Sequence, residues 1–514
     1  MTSRAPDAPV RAGAREWGAL VVLMLPVLLI SVDNTVLNFA LPQISRELRP
    51  TGRQLLWTVD AYPLVLAGLL VPMGAFGDRV GRRRLLLVGS TGFAVVSALA
   101  AFAPSGAALV AARALLGVFG AMLMPTTLSL IRNIFAEPVQ RRTAIAVWAT
   151  GFSAGGALGP IVGGFLLEHF WWGSVFLIAV PVLVPLLVLA PVLVPESRDP
   201  RPGPVDLASA ALIMGAVVAL LWSLKSLGSE GPSAVAAAAA LAAAAAGTLF
   251  VRRQLRRPVP MLDMRLFRRR AFTGGLLNNL VASTVYIGFL FFVSQHLQLV
   301  EGMAPMRAGL ALLPGAAVTV VSGLLVVRVA RRVPPALVVG GGLLVMTAGF
   351  LLVALGDLRG GTLLVVALMV VGLGSGAAQT LAGDLVLSQV EPERAGAASA
   401  ISETAYELGA ALGVAVLGTA VTATYTRALT VPPGLSPEQA ATASETLGGA
   451  VDVAGTLGPA PAGELLAAAV GAFQTGVHVS AAIAAALLAG TAVVVALLLR
   501  RVHGAPGPRD AARP

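Results

Sequence analysis

The chain has 514 residues, of which 57% are hydrophobic and 12% charged, with a mean hydropathy of +0.85. A soluble domain carries about 25% charged residues, so this composition excludes a soluble globular fold, disorder and collagen, and makes a bilayer the solvent for most of the chain. There is no cysteine, which removes disulfides, thiolate metal sites, iron–sulfur clusters and a cysteine nucleophile. The four histidines, His169, His296, His478 and His503, are too scattered to suggest a metal site. The net charge of +11 lies in short arginine clusters between apolar runs. That is where membrane proteins keep their cytoplasmic bases, so no nucleic-acid partner is expected.

A helix crosses the hydrocarbon core with roughly 20 apolar residues. Fourteen such segments follow in chain order: 17–41, 54–76, 83–103, 107–132, 142–168, 172–194, 205–227, 233–251, 272–299, 307–329, 335–355, 361–389, 396–420 and 476–500. The eighth is an alanine run from Ala234 to Ala246. Residues 1–16 are polar without a cleavable signal pattern, and the first apolar stretch is too long for a signal peptide. With the N-terminus in the cytoplasm, the inner segments hold 28 of the 36 Arg and Lys, the outer loops hold 7, and Arg113 lies inside a span. That asymmetry selects cytoplasmic N- and C-termini. The largest cluster, eight arginines within Arg252–Arg270, is expected to face anionic lipid headgroups.

The sequence echoes itself. Gly74-Ala-Phe-Gly-Asp-Arg-Val-Gly-Arg-Arg83 after the second span matches Gly323-Leu-Leu-Val-Val-Arg-Val-Ala-Arg-Arg332 after the tenth at five positions. Glu137, Pro138 and Arg141 after the fourth span are echoed by Glu391, Pro392 and Arg394 after the twelfth. Both echoes set span n against span n+8. This implies a six-helix bundle over 1–195, an inserted pair with a basic linker over 196–270, and a second six-helix bundle over 271–514. Duplicated bundles of this kind are common in secondary transporters.

Four motifs then occur in order. Gly74-x-x-x-Asp78-Arg79-x-Gly81-Arg82-Arg83 resembles the signature loop of the major facilitator superfamily. Arg113-x-x-x-Gly117 resembles its fourth-helix arginine motif, and Gly155-x-x-x-Gly159-Pro160-x-x-Gly163-Gly164 its fifth-helix antiporter motif. Ser31-Val-Asp33-Asn34 through Pro42 resembles the first helix of its fourteen-span drug:proton antiporters. The nearest likeness is to the branch exporting quaternary ammonium and other organic cations. There are two departures. Trp172-Gly173-Ser174-Val175-Phe176 lacks the arginine usual after helix 5, and Thr319 stands where some cation exporters carry an acid. The resemblance implies an all-α membrane protein with the major facilitator fold and fourteen spans in the bacterial plasma membrane. It is expected to be a monomer without cofactor or metal, driven by the proton gradient.

The residues offer a matching chemistry. Asp33, Asp60, Glu403 and Glu407 lie within spans, and Glu403 and Glu407 share a helix face one turn apart. A charged carboxylate at such depth costs at least about 2.5–3.5 kcal/mol, so these acids either line a wet cavity or make structural hydrogen bonds, such as Asp33 to Asn34 or Asn38. Burial favours the neutral acid and a nearby cation the ionised one. A proton and a lipophilic cation therefore compete for one carboxylate. Asp384, nearer an inner helix end, is a further candidate. Arg113, the base within a span, is expected from the resemblance to support proton transfer near Asp33. Among the aromatics near these acids, Tyr62, Trp148 and Tyr406 are the expected cavity walls, with core packing as the alternative. Gly151, Gly155, Gly159 and Gly163 form a four-residue stripe, kinked by Pro160 and followed by Gly164. By resemblance this helix seals the two halves against leaks.

Gly74, Asp78, Arg79, Gly81, Arg82 and Arg83 are expected to form an inner gate. Residues 421–475 read as a long outer loop with an amphipathic stretch near Glu438–Leu457 and no assigned role. The expected function is proton-coupled export of lipophilic, often cationic compounds. The alternatives are a dedicated exporter of one endogenous antibiotic or metabolite, and, from another class, a receptor or scaffold without transport. Nothing in the sequence suggests an enzyme: no nucleotide loop, metal cluster or nucleophile–base pair is present.

Overall fold

A computed structural model describes residues 11–198, 206–231, 233–258, 260, 262–330, 332–390 and 395–500. The second echo, Glu391, Pro392 and Arg394, lies outside the described residues. All regular structure among those residues is helical. The N-terminal bundle is built from α1 (Ala14–Leu48), α2 (Gly52–Val80), α3 (Arg82–Ala101), α4 (Gly106–Ile134) and α5 (Pro138–His169). Its sixth helix, α6, runs as Ser174–Leu177 and then Ala179–Leu193. The inserted hairpin is α7 (Leu207–Glu230) and α8 (Ala234–Arg256). The C-terminal bundle opens with α9 (Arg270–Gln295, extended by a π-helical turn His296–Val300). It continues through α10 (Pro305–Val329), α11 (Pro335–Leu355) and α12 (Thr362–Leu387). It closes with α13 (Ala395–Gly413, a π-helical turn Val414–Gly418, then Thr419–Ala428) and α14 (Pro459–Leu499). Thirteen of these fourteen helices are long and apolar enough to cross a membrane, judged over the described residues; α5, with 32 residues, is the other.

Local chemistry sets the helix boundaries. Thr51 caps α2 reciprocally: its hydroxyl accepts from the Gln54 N–H at 3.2 Å, and its own N–H donates to the Gln54 carboxamide at 3.0 Å. Ser105, Asp206 and Ser233 cap α4, α7 and α8 by accepting from a backbone N–H three residues on. Proline opens α10, α11 and α14, where its missing N–H costs nothing. Between α2 and α3, Gly81 takes φ +114 and a Cβ there would lie 2.9 Å from the Glu196 carboxyl, so both conformation and space demand glycine.

The two bundles repeat one packing scheme. In the first, α2 packs on α4, α1 on α5 and α6, and α3 on α4 and α6. In the second, α10 packs on α12, α9 on α13 and α14, and α11 on α12 and α14. Every pair is displaced by eight helices, the spacing implied by the sequence echoes. The bundles meet along two seams, α5 against α10 and α2 against α13, and the inserted hairpin lies over the second through α7.

The outer loop is shorter than its sequence suggests. α13 continues to Ala428 and α14 begins at Pro459, so much of 421–475 is helix. At 41 residues α14 is roughly 60 Å long, about twice the hydrocarbon thickness. The remainder folds as two short helices, Pro437–Glu445 and Leu447–Ala454, pinned where the Tyr425 hydroxyl donates to the Ala443 carbonyl at 2.7 Å.

Candidate functional site

Helix α1 carries Asp33 to the interior, and α4 brings Arg113 to meet it. Arg113 Nη1 donates to Asp33 Oδ2 at 2.6 Å, and its Nε donates to the Thr58 carbonyl on α2 at 3.0 Å. The guanidinium lies 4.6 Å from the centroid of the Tyr62 ring, within cation–π range. Both partners of the pair are buried, Arg113 at 1% and Asp33 at 6% exposure. The approach of α4 to α2 depends on Gly117, where a Cβ would sit 2.7 Å from the Tyr62 carbonyl oxygen.

Across the seam, α13 presents Glu407, which is fully buried. Its carboxyl oxygens make no hydrogen bond of normal geometry among the described residues, although the Asn34 side chain of α1 approaches them. Glu407 lies within electrostatic reach of Asp33, Glu403 and Tyr62. The structure thus gathers Asp33, Arg113, Tyr62, Glu403 and Glu407 into one cluster between the halves. Asp60 is also buried, two residues beyond Thr58 on α2. Glu403 is half-buried, one turn before Glu407. Asp384 is exposed near the inner end of α12 and stands apart from this buried set.

The aromatic residues divide. Tyr62 underlies Arg113, with its hydroxyl lacking a hydrogen-bond partner among the described residues. Tyr406 lies within reach of Glu403, Glu407 and Tyr286. Trp148 instead joins α5 to α4, its indole N–H donating to Thr127 Oγ1 at 3.1 Å. Tyr286, Thr35, Phe39, Pro160 and Leu312 line a cleft of about 20 Å³ between the halves. That is room for about one water molecule.

The glycine helix has two working faces. Added Cβ atoms at Gly151, Gly155 and Gly163 would fall 2.8, 2.6 and 2.6 Å from Met24, Ser31 and Val36 of α1, and one at Gly159 would collide with Thr35. The stripe therefore brings α5 onto α1 within its own half, and Gly164 is buried beside it. The other half is met through Pro160: a Cβ on Gly309 of α10 would lie 2.5 Å from its carbonyl oxygen.

The α2–α3 loop is likewise tied within its half. Asp78 accepts from Arg82 Nε at 2.8 Å, and the Arg82 N–H donates to the Ser197 carbonyl at 2.9 Å. Arg83 donates its N–H to Glu196 at 3.0 Å and its Nη1 to the Pro191 and Val194 carbonyls, both at 3.1 Å. Gly74 meets Pro125 of α4 at ordinary contact distance and Arg79 is exposed. Polar contacts between the halves lie elsewhere: the Thr404 hydroxyl of α13 donates to the Ala67 carbonyl of α2 at 3.4 Å, and two more occur at the end bearing residues 421–475. The Met306 N–H donates to Glu168 at 3.2 Å, and Arg46 of α1 lies 3.6 Å from Asp452 in the outer loop. At the other end of the bundle, Asp206 receives Arg253 at 3.0 and 3.2 Å and Arg257 at 3.3 Å, which clamps α7 to α8. Burial pushes the Asp206 carboxyl up, but hydrogen bonds from Arg253 and Ser209 outweigh it and hold the group well below the usual carboxylate range.

Thr58, Glu196 and the Asp206 clamp escape sequence reasoning, and Asn34, expected beside Asp33, approaches Glu407 instead. The acids of the short inner segment 195–206 are a usable signal for Glu196 and Asp206. Nothing in the sequence marks a backbone acceptor such as Thr58.

The Major Facilitator Superfamily model matches residues 23–414. The chain is 54% identical over 492 residues to the multidrug efflux pump LfrA of Mycolicibacterium smegmatis, covering 96% of this chain and 98% of that protein. It is 36% identical over 462 residues to the methyl viologen resistance protein SmvA of Salmonella typhimurium, covering 89% and 93%. Its fold is similar to an inward-facing, unoccupied bacterial homologue of the human lysosomal transporter Spinster, with TM-score 0.66, 17% identity, and 96% and 100% coverage.

Proposed function

The chain belongs to the major facilitator superfamily, and from that premise we propose that it exports small lipophilic, often cationic compounds in exchange for protons. It is a multidrug efflux transporter, a multi-pass protein of the bacterial plasma membrane. Its family moves solutes rather than converting them, so no enzymatic step is assigned.

The observation that carries the coupling is Glu407, a fully buried carboxyl at the seam of the halves with no settled hydrogen bond among the described residues. A carboxyl so placed is stable as the neutral acid or beside a cation, and not as a lone anion. A lipophilic cation that reaches Glu407 takes the place of its proton, and a proton returning from outside expels the cation. The gradient supplies about 2.3 kcal/mol per charge per 100 mV and about 1.4 kcal/mol per pH unit, so one or two protons drive strong export. Glu403 and Asp60 extend the acidic path, while Tyr62 and Tyr406 offer aromatic faces to the guest. Apolar walls accept many shapes, which favours broad export over one endogenous compound.

Asp33 plays a different part. Its pairing with Arg113 makes a neutral unit, so the proton carrier is Glu407 and the pair is the latch beside it. Protonation of Asp33 releases Arg113, whose charge then bears on Tyr62 and on the acid opposite. Glu196 and Ser197 hold the Asp78–Arg83 loop to the end of α6, making the N-terminal half one rigid body, while the Arg46–Asp452 and Glu168–Met306 contacts hold the outer side shut. In this reading α5 seals the seam through Pro160 against Gly309, and the protein works as a monomer with cytoplasmic termini and no cofactor.

The test is proton release from detergent-solubilised protein on addition of ethidium. Wild type releases protons, Glu407→Gln does not, and Asp33→Asn and Asp60→Asn release fewer. Undiminished release and export in all three variants overturns the assignment.

A further inference from the structure

A second cavity, about 310 Å³, is lined by none of the acids and lies on the face of α13 beside them. Val71 of α2, Ile213 of α7, Phe250 of α8, Phe267 of the linker, Leu276 of α9 and Leu408 of α13 are among the residues lining it. Its walls thus come from both halves, the inserted hairpin and the linker. The wall is almost wholly apolar, and its threonines are engaged: Thr273 Oγ1 donates to the Phe267 carbonyl at 2.7 Å and Thr404 Oγ1 to the Ala67 carbonyl at 3.4 Å. A cavity of this size holds far more than one water molecule, and its apolar wall suits a stretch of alkyl chain.

The charges around the linker decide what kind of chain it is. Arg252, Arg256, Arg265, Arg268 and Arg270 are exposed, and none forms an ion pair among the described residues. Arg253 and Arg257 share the single carboxylate of Asp206, Arg269 donates to the Gln389 carbonyl, and Asp263 is the one acid on the linker. Phe267 reaches into the cavity while its neighbours Arg265 and Arg268 face outward. A cationic substrate is repelled here, whereas a phosphate is attracted. We infer that this cavity holds one acyl chain of an anionic glycerophospholipid whose headgroup rests on Arg265 and Arg268, wedged beneath the inserted hairpin at the α2–α13 seam.

The experiment is native mass spectrometry of the full-length protein in detergent, titrated with dioleoylphosphatidylglycerol or dioleoylphosphatidylcholine. One phosphatidylglycerol is expected to be retained with at least tenfold preference over phosphatidylcholine. The double variant Arg265→Gln/Arg268→Gln loses at least fivefold of that preference, and Ile213→Trp, which fills the cavity, loses retention of both lipids. Arg328→Gln, an inner arginine elsewhere, changes nothing. Equal retention of the two lipids by wild type, or wild-type binding by both test variants, overturns the inference. So does displacement by glycerol phosphate, which marks a free-phosphate site, or by ethidium, which marks a substrate site. If Ile213→Trp fails to fold, the exposed arginine pair decides alone. The transport reading stands or falls separately, on Glu407.

Discussion

In the N-terminal half the seam carries a matched pair beside the buried Asp60: Arg113 holds Asp33 at 2.6 Å and satisfies a further donor on the Thr58 carbonyl. In the C-terminal half Glu407 is equally buried, yet among the described residues no base pairs with it, and the groups named above beside it belong to α1, α2 or its own helix. The two halves repeat the same helix packing while dividing the chemistry. One supplies a closed ion pair, the other an acid left without a settled bond. A symmetric scaffold thus holds an asymmetric site, and motion of the halves changes the surroundings of Glu407 more than those of Asp33.

Breaking the matched pair should have the largest effect. Asp33→Asn leaves Arg113 buried without its counter-charge, a change that typically costs about 3–5 kcal/mol. Export of ethidium should fall to background and thermal unfolding in detergent should move down sharply. The double variant Asp33→Asn/Arg113→Gln should regain most of the stability and none of the export. Recovery of export in the double variant would mean that the pair is structural only.

Glu407→Gln should separate the two halves. It replaces a buried carboxyl that has no settled hydrogen bond by a neutral amide of similar shape, so stability should hold or rise, while cation-driven proton release disappears and export falls at least tenfold. Loss of stability comparable to that of Asp33→Asn would show that Glu407 is a bonded structural acid, erasing the contrast.

A third change acts on the seam itself. Gly309→Val places a side chain against the Pro160 carbonyl, where a Cβ alone stands at 2.5 Å. Overpacking of this kind usually costs about 1–3 kcal/mol. Because the contact joins the halves, it should slow export several-fold. Gly155→Val overpacks α1 within one half and should lower stability while leaving surviving molecules active, a difference read by export per folded protein.

The sequence makes the scaffold legible because hydropathy and arginine placement are summed over many residues. Helix caps at Thr51, Ser105 and Ser233 obey the same local rules, though hydropathy alone does not announce them. Site residues carried by motif, Asp33 and Arg113, come together as their types require. What stays hidden is direction. The spacing of Gly151, Gly155, Gly159 and Gly163 announces close packing but not that α1 is the helix packed. Trp148 reads as a cavity wall until its N–H is found on Thr127. The outer loop reads as long because α14 rises beyond the bilayer on alanines and glycines whose hydropathy does not mark a helix end.

The smallest expected effects lie at the two surface ends. Arg46 and Asp452 are 59% and 50% exposed, so Asp452→Ala should alter stability by no more than about 1 kcal/mol, less in high salt. Asp206 is the stronger clamp, being almost wholly covered and held by two arginines. Its carboxyl is depressed in the folded protein, so its contribution is complete above the unfolded value of about 3.9. That contribution is lost only as pH falls through the lower folded value. The α7–α8 hairpin should therefore keep its hydrogen-exchange protection from pH 7 to about 5 and lose it in stronger acid. Asp206→Asn should show reduced protection in α7 and α8 already at pH 7, with the acid cluster and its proton release unaffected. If the hairpin of wild type loosens between pH 7 and 5, Asp206 is not what holds it.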